Sequence, residues 1–165
     1  MSEASTLVLG ATGALGHHVL DALTARGTKP GTITAAGRNH VRLEELASAG
    51  FSTAAVELPD SAGVAELVAR HSDIVLISGR DPDRLAQHES VIEAARTANV
   101  RHVYYTSGVR ADDDRFAINA DHRATEKAHR FRGDVHDPAE HLVHRELRPG
   151  PGRPPFHRRP RRGDR

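Results

Sequence analysis

The alternation of short apolar runs with helical patterns constrains the fold of this chain more than any other feature. Five runs rich in β-branched residues or leucine lie at 6–10, 31–37, 51–58, 73–78 and 100–108. Each is followed by a segment with apolar residues at helical spacing. The run at 73–78 is continuously apolar, which is typical of a strand covered on both faces. Five such alternations predict a parallel sheet with right-handed crossovers, and hence a doubly wound α/β domain.

Three glycines, Gly10, Gly13 and Gly16, occupy the segment GATGALG between the first predicted strand and the first predicted helix. In a phosphate-binding loop the first glycine permits the tight turn and the second lets the backbone approach a pyrophosphate. The third lets the helix pack closely on the strand. Free N–H groups at the start of the helix would then face the anion. An ordinary glycine-rich turn is the alternative, but the flanking strand and helix favour a dinucleotide-binding loop.

The end of the second predicted strand reads AAGRN and contains no carboxylate. NAD sites of this fold usually place Asp or Glu there, where it holds the ribose 2′-hydroxyl. Arg38 occupies the position instead, and its guanidinium could bind a 2′-phosphate. A solvated arginine at the start of a helix is the alternative. The sequence therefore favours NADP as the cofactor, with NAD still possible.

The G-x-x-G-x-x-G spacing with GATG resembles the short-chain dehydrogenase superfamily. Residues 88–108, HESVIEAARTANVRHVYYTSG, and 122–128, HRATEKA, resemble NmrA-like proteins of the NAD(P)H:quinone oxidoreductase type. This resemblance covers residues 5 to about 128 and implies a Rossmann-like fold, NADP as cofactor and a quinone-like, small-molecule electron acceptor. Some NmrA-like proteins bind NADP without turning it over, so a sensor that acts through a protein partner is the alternative function.

The same resemblance assigns further cofactor contacts. Leu58, after the third strand, would lie beside the adenine. Ser78 and Gly79, after the fourth strand, would flank the ribose on the nicotinamide side. Thr12 and Leu15 share the loop with the three glycines and complete the predicted cofactor site.

Catalytic residues are less clearly indicated. Ser107 matches the superfamily's serine at the end of the fifth strand, but the expected Tyr-x-x-x-Lys pair is absent. The helix that should carry that pair has His122 and Glu126, which at i and i+4 share one helical face. They could orient a histidine for acid–base chemistry, or they could form a surface ion pair. No metal-binding pattern is present.

Composition limits the other classes of function. The chain has no cysteine, which excludes disulfides and thiolate metal sites. Its N-terminus has neither the basic region nor the apolar run of a signal peptide, and no apolar stretch approaches the roughly 20 residues of a membrane span. We therefore expect a cytoplasmic protein without a membrane partner, and the sequence leaves its oligomeric state open.

The last part of the chain differs in composition. Residues 1–127 contain 13 Lys and Arg against 17 Asp and Glu, whereas residues 128–165 contain 10 Arg, 5 acidic residues and six prolines. This segment could be a basic arm for nucleic acid or a disordered linker, although it lacks the aromatic and helical patterning that favours nucleic-acid binding.

A third interpretation is an out-of-frame terminus. Regrouping the codons permitted for residues 129–146 by one base admits IASGVTFTILRNTWYTEN, which resembles the NmrA-like continuation. We therefore expect a nucleotide-binding domain at 1–128, truncated after about the fifth strand, and an Arg/Pro-rich, disordered and out-of-frame tail at 129–165.

Overall fold

A computed structural model describes residues 5–109, 111–113 and 115–130. The strands are β1 (Thr6–Leu9), β2 (Ile33–Gly37), β3 (Ser52–Ala55), β4 (Asp73–Leu76) and β5 (His102–Tyr105). The helices are α1 (Ala14–Ala25), α2 (His40–Ser48), α3 (Ser61–Val68), α4 (Arg84–Thr97) and α5 (Ile118–Arg130). A single 3-10 turn, Pro30–Thr32, precedes β2.

The five strands form one sheet in the order β3-β2-β1-β4-β5, and every neighbouring pair is parallel. The predicted doubly wound α/β fold is therefore confirmed. The strand order reverses between β1 and β4, so the connections leaving these strands diverge to opposite faces. In open α/β sheets this reversal creates a crevice at the carboxyl ends of the strands, where ligands bind.

Alternating side chains of the strands pack into two hydrophobic layers. Val8 of β1 belongs to the layer that contains Leu20 of α1 and Leu46 of α2. Leu7 and Leu9 belong to the other layer, which also contains Val64 and Val68 of α3, Val91 and Ala95 of α4, and Tyr105 of β5. Helix α5 packs against α4 on this second side. Both faces of the sheet are thus covered, which explains the continuous apolar run in β4.

Several strands end earlier than their apolar runs suggest. β3 ends at Ala55, β4 at Leu76 and β5 at Tyr105. The residues beyond these ends leave the ladder and form the loops at the carboxyl edge of the sheet. Helix α5 ends at Arg130, two residues past the domain boundary expected at 128. The rest of the predicted tail, 131–165, lies outside the described residues.

Candidate functional site

The glycine loop forms a tight turn at the end of β1. Gly10 has a φ of 84°, in the left-handed region that favours glycine. Its N–H and that of Ala11 both donate to the carbonyl oxygen of Ala36, at 3.1 and 3.0 Å. These two bonds fasten the loop to the end of β2 and direct the chain into α1.

The N-terminus of α1 is open to an anion. Its N-cap residue is Gly13, and among the described residues no side chain caps this end. By contrast, Asn39 caps α2 by accepting from the N–H of Arg42, and Asp60 caps α3 by accepting from the N–H of Gly63. The first backbone N–H groups of α1 therefore remain available, together with the positive end of the helix dipole.

Steric contacts give the glycines different roles. A Cβ on Gly16 would lie 2.6 Å from backbone atoms of Ala11, so only glycine allows the helix to pack this closely on the loop. A Cβ on Gly13 would meet only the Gly10 carbonyl oxygen, at 3.4 Å, which is an ordinary contact. Gly16 is thus required by packing, whereas Gly13 keeps the surface in front of the helix clear.

A pocket of about 210 Å³ opens at the reversal point of the sheet. Six of the predicted cofactor residues line it: Gly10, Thr12, Gly13, Arg38, Leu58 and Ser78. The other three lie elsewhere. Gly16 is buried beneath the loop, Leu15 is 49% exposed on α1, and Gly79 lies beyond the wall of the pocket. The carboxyl ends of β1, β2 and β4 thus bring most of the predicted site together.

Seven lining residues of this pocket were not anticipated from the sequence, and two of them, Gly37 and Asp81, affect its shape and charge. A Cβ on Gly37 would lie 2.5 Å from Oγ1 of Thr12, so glycine at the end of β2 makes room for the loop. The Asp81 carboxylate lies 3.6 Å from the Arg38 guanidinium. The small residues before Arg38 could have indicated from the sequence that another segment approaches the chain closely at Gly37. Nothing local marked Asp81, because it is 43 positions away from its partner.

A second, more open pocket of about 580 Å³ adjoins the first and shares Arg38 and Val56 with it. It follows the end of β3 and the start of α3, and His40 and Glu57 also line it. Arg38 therefore lines both cavities.

The candidate catalytic residues are paired differently from the sequence expectation. The Ser107 hydroxyl donates to the Glu126 carboxylate. His122 is only 6% exposed, and its Nδ1 lies 2.6 Å from the Tyr105 hydroxyl. The interpretation of His122 and Glu126 as a surface ion pair is therefore wrong, because α5 turns the histidine inward against β5. Neither Ser107 nor His122 lines the pocket.

Burial controls the ionisation of the groups around His122. Burial raises the pKa of Tyr105, against smaller opposing interactions with Thr125 and Ser78. Burial lowers the pKa of His122, and the Arg84 cation lowers it further. The pKa of the nearby His88 falls to about 4, again mainly through burial. These three groups are neutral at physiological pH.

A separate charged cluster stabilises the opposite end of the sheet. Arg101 donates to both carboxylate oxygens of Asp73, at 3.2 and 2.5 Å, and His102 Nδ1 lies 2.9 Å from Oδ1. Burial would raise the pKa of Asp73, but these hydrogen bonds outweigh it and hold the pKa below its usual value. The cluster joins the amino ends of β4 and β5, far from the pocket, and its role is structural.

The described part of the chain contains no group of three or more His, Cys, Asp or Glu side chains able to hold a metal ion. Over the same residues, no helix is long and apolar enough to cross a bilayer.

Known proteins share this architecture and sequence. The chain is 34% identical over 122 residues to quinone oxidoreductase 2 of Escherichia coli. Among solved structures, triphenylmethane reductase of a Citrobacter species, complexed with NADP(H), superposes with a TM-score of 0.72 at 32% identity over 77% of this chain. The NADPH complex of the E. coli NADPH-dependent quinone oxidoreductase gives 0.69 at 32% identity over 74% of this chain.

The matches cover only part of each relative. The chain spans 42% of the E. coli quinone oxidoreductase, and 45% and 43% of the two solved structures. An NmrA-like oxidoreductase of Aspergillus flavus is 30% identical over 131 residues, with 42% of its length covered. The NmrA-like and quinone-oxidoreductase resemblance of the sequence is thus confirmed.

A family model described as NAD(P)H-binding matches residues 10–146, a span that begins at the first glycine of the loop and includes all of α5. This match passes the expected domain boundary at 128 by 18 residues. Because the matched span takes in the glycine loop, the pocket and every strand after β1, this chain belongs to the NAD(P)H-binding family.

Proposed function

We propose that this chain binds NADPH in the pocket between the ends of β1, β2 and β4, and that it supplies the cofactor half of an oxidoreductase acting on quinone-like acceptors. The observation that carries the proposal is the convergence of an uncapped helix N-terminus, a glycine loop and an arginine in one pocket. Each of these features favours a phosphorylated ligand.

The residues present fit a dinucleotide. The N–H groups at the start of α1 would hold the pyrophosphate, since Gly13 leaves the approach clear. Arg38 would bind the 2′-phosphate, and it lines both pockets. Leu58 provides an apolar surface for the adenine, and Ser78 provides a hydroxyl at the β4 side of the pocket.

When bound, the reduced nicotinamide supplies a hydride for the acceptor. The chain's own contribution is to bind the phosphates, fix the orientation of the cofactor and exclude water from its apolar side. An acceptor reduced by two electrons also needs a proton, which bulk water can provide, so a protein acid is not required.

The alternative of a cofactor-sensing regulator lacks specific support. The relatives that match over most of this chain are named as oxidoreductases or reductases. Since the chain spans less than half of their length, the electron acceptor and the turnover remain part of the proposal.

Calorimetric titration of the full chain with NADPH and with NADH tests the binding half of the proposal. We expect NADPH to bind more tightly and the Gly13→Val variant to bind neither cofactor. The catalytic half of the proposal is tested by measuring, from the nicotinamide absorbance, how fast NADPH is oxidised in the presence of a soluble benzoquinone. A chain that binds no dinucleotide would overturn the proposal, and one that binds NADPH but reduces no quinone would overturn its catalytic part.

A further inference from the structure

Helix α5 is attached to the rest of the domain by polar side chains. Among the described residues, the buried side chains of α5 are those of Asn119, His122 and Thr125. Each of the other four helices contributes a buried apolar side chain to one of the two hydrophobic layers, whereas no described residue of α5 belongs to either layer. Because burial of apolar surface is the main source of packing stability, we expect α5 to be held less firmly than the other helices.

Four side-chain contacts join α5 to α4 and β5. We call these contacts the polar seam: Arg84–Asp121, His88–Thr125, Tyr105–His122 and Ser107–Glu126. The Arg84 guanidinium donates through Nε and Nη2 to one carboxylate oxygen of Asp121, at 2.9 and 2.6 Å. The Tyr105 hydroxyl lies 2.6 Å from His122 Nδ1. When α5 leaves, water can replace the partner in each of these bonds, so the seam adds little net stability.

The seam fixes the protonation of His88. Oγ1 of Thr125 donates its only proton to the carbonyl oxygen of Asp121, at 2.9 Å. His88 Nδ1 lies 3.1 Å from the same Oγ1, so this nitrogen must be the donor in that bond. Nε2 of His88 is then a lone pair, and it is buried without a hydrogen-bond partner among the described residues. A proton on Nε2 would create a buried donor that lacks an acceptor, which is costly.

Both histidines of the polar seam resist protonation while α5 is in place. Burial, followed by the nearby His122 and Arg84, lowers the pKa of His88 to about 4, whereas Asp121 opposes the shift. The pKa of His122 is lowered by burial and then by Arg84, with Glu126 and Asp121 opposing. The docked helix therefore requires two neutral imidazole rings.

Acid should therefore oppose the docking of α5. Once α5 has left, water reaches both rings, and they take up a proton near the ordinary histidine pKa of about 6.5. Docking is thus strongest above about pH 6.5 and weakens as the pH falls towards about 4, where His88 is protonated even in the docked state. Burial raises the pKa of Tyr105, so its hydroxyl is uncharged throughout this range.

From this arrangement we propose that α5 is an acid-sensitive docking element, which leaves α4 and β5 in mild acid, as His88 takes up a proton, while the five-stranded sheet stays folded. Its departure would uncover the carboxyl end of β5, because α5 lies directly on Gly108, where a Cβ would be 2.8 Å from His122 Cδ2. The inference does not depend on the proposed function, since none of the residues that line the two pockets belongs to α5.

Amide hydrogen exchange of the full chain, measured by mass spectrometry, tests whether α5 opens separately. After correction for the intrinsic exchange rates, the amides of α5 should exchange at least about ten-fold faster than those of β1 and β4 at about pH 7. Their exchange should also depend less on urea, because the opening of one helix exposes far less surface than global unfolding does. Equal exchange and equal urea dependence of α5, β1 and β4 would overturn the proposal, because the helix would then open only with the whole domain.

The pH dependence of the same exchange tests the role of the histidines. A pKa of about 6.5 in the undocked state against about 4 in the docked state implies that His88 alone raises the opening equilibrium of α5 about 20-fold between about pH 7 and about pH 5. His88→Asn retains a donor for Thr125 without titrating, so most of this rise should disappear. His18→Gln, an exposed change on α1, should retain the full rise.

Circular dichroism establishes that each variant is folded. If His88→Asn does not fold, His122→Asn replaces it, because its side-chain carbonyl can accept from Tyr105 and it also removes a titrating ring; its opening equilibrium should rise less than that of the unmodified chain. The proposal is overturned if the opening of α5 in the unmodified chain does not change between about pH 7 and about pH 5. It is also overturned if the folded histidine variant shows the full rise.

Discussion

Arg38 and Asp81 face each other across the mouth of the pocket, with 3.6 Å between the Nη2 and Oδ2 atoms. They follow β2 and β4, the strands on either side of β1, so their ion pair lies over the glycine loop. The arginine side chain is largely exposed, and exposed ion pairs contribute at most about 1 kcal/mol. A phosphate that binds Arg38 can therefore displace the carboxylate at little cost.

Arg38 should decide the choice of cofactor. Replacing it by Asp removes the cation for the 2′-phosphate and introduces a carboxylate able to accept from a 2′-hydroxyl. The preference for NADPH over NADH should fall by about ten- to a hundred-fold or reverse, since a charge-assisted hydrogen bond contributes roughly 1.5–3 kcal/mol. Calorimetry with both cofactors measures this change, and Arg26→Asp, at the distant end of α1, is the control. Equal affinity of the unmodified chain for the two cofactors would contradict the assignment.

Asp81 should act in the opposite direction. Asp81→Asn removes the carboxylate that competes with a phosphate for Arg38, so NADPH should bind about two- to five-fold tighter. The gain should shrink as salt is added, because both charges are accessible to solvent. Glu45→Gln, which alters an exposed ion pair on α2, should leave the affinity unchanged. Unchanged NADPH affinity in Asp81→Asn at low salt would show that the ion pair does not compete with the cofactor.

The glycine loop offers a matched pair of substitutions. Gly13→Val should abolish dinucleotide binding and leave the fold intact, because its Cβ meets only an ordinary contact while the side chain fills the phosphate's approach. Gly16→Ala should instead destabilise the domain by about 1–3 kcal/mol, because its Cβ collides with the backbone of Ala11. Urea unfolding and calorimetry distinguish the two effects. Normal binding by a folded Gly13→Val variant would mean that no phosphate lies at this loop.

His88 should make the domain sensitive to acid. Its pKa is about 4 in the folded chain against 6.5 for an ordinary histidine, so the unfolded chain takes up the proton first as the pH falls. Above about pH 6.5 the uncharged His88 does not reduce the free energy of unfolding. As the pH falls to about 4, the free energy of unfolding decreases progressively, by at most on the order of 3 kcal/mol. His88→Asn retains a donor for Thr125 without titrating, so its free energy of unfolding should vary less over this range. His18→Gln should follow the unmodified chain, and an equally steep fall in His88→Asn would exclude His88 as the cause.

The frame of the last segment can be tested at the gene. If residues after about 128 are translated out of frame, deletion of one base near codon 128 should yield a chain that binds NADPH more tightly and reduces quinones. Calorimetry and the benzoquinone assay compare the two chains. Equal affinity and activity before and after the deletion would show that the segment is in its proper frame. The family match to residue 146 makes this a necessary experiment.

Local sequence patterns determined most of the fold and part of the candidate site. Strand and helix periodicities depend on neighbouring residues, so the five alternations of the parallel sheet were predictable. The need for glycine at Gly10 and Gly16 is equally local, because it arises in the turn from β1 into α1. The loop and residues 88–108 and 122–128 predicted the family resemblance, and Arg38 predicted NADP, whereas the individual cofactor contacts remain predictions.

The tertiary structure alone decided which distant side chains meet. Asp81 approaches Arg38 because β4 and β2 both flank β1. Tyr105 and His122 meet because α5 folds back over the end of β5. On the sequence, His122 and Glu126 share a helical face, but that pattern does not say whether the face meets solvent or the sheet. The burial of α5 against β5 and α4 settles this, since it turns a supposed surface pair into two separate contacts, with Tyr105 and with Ser107.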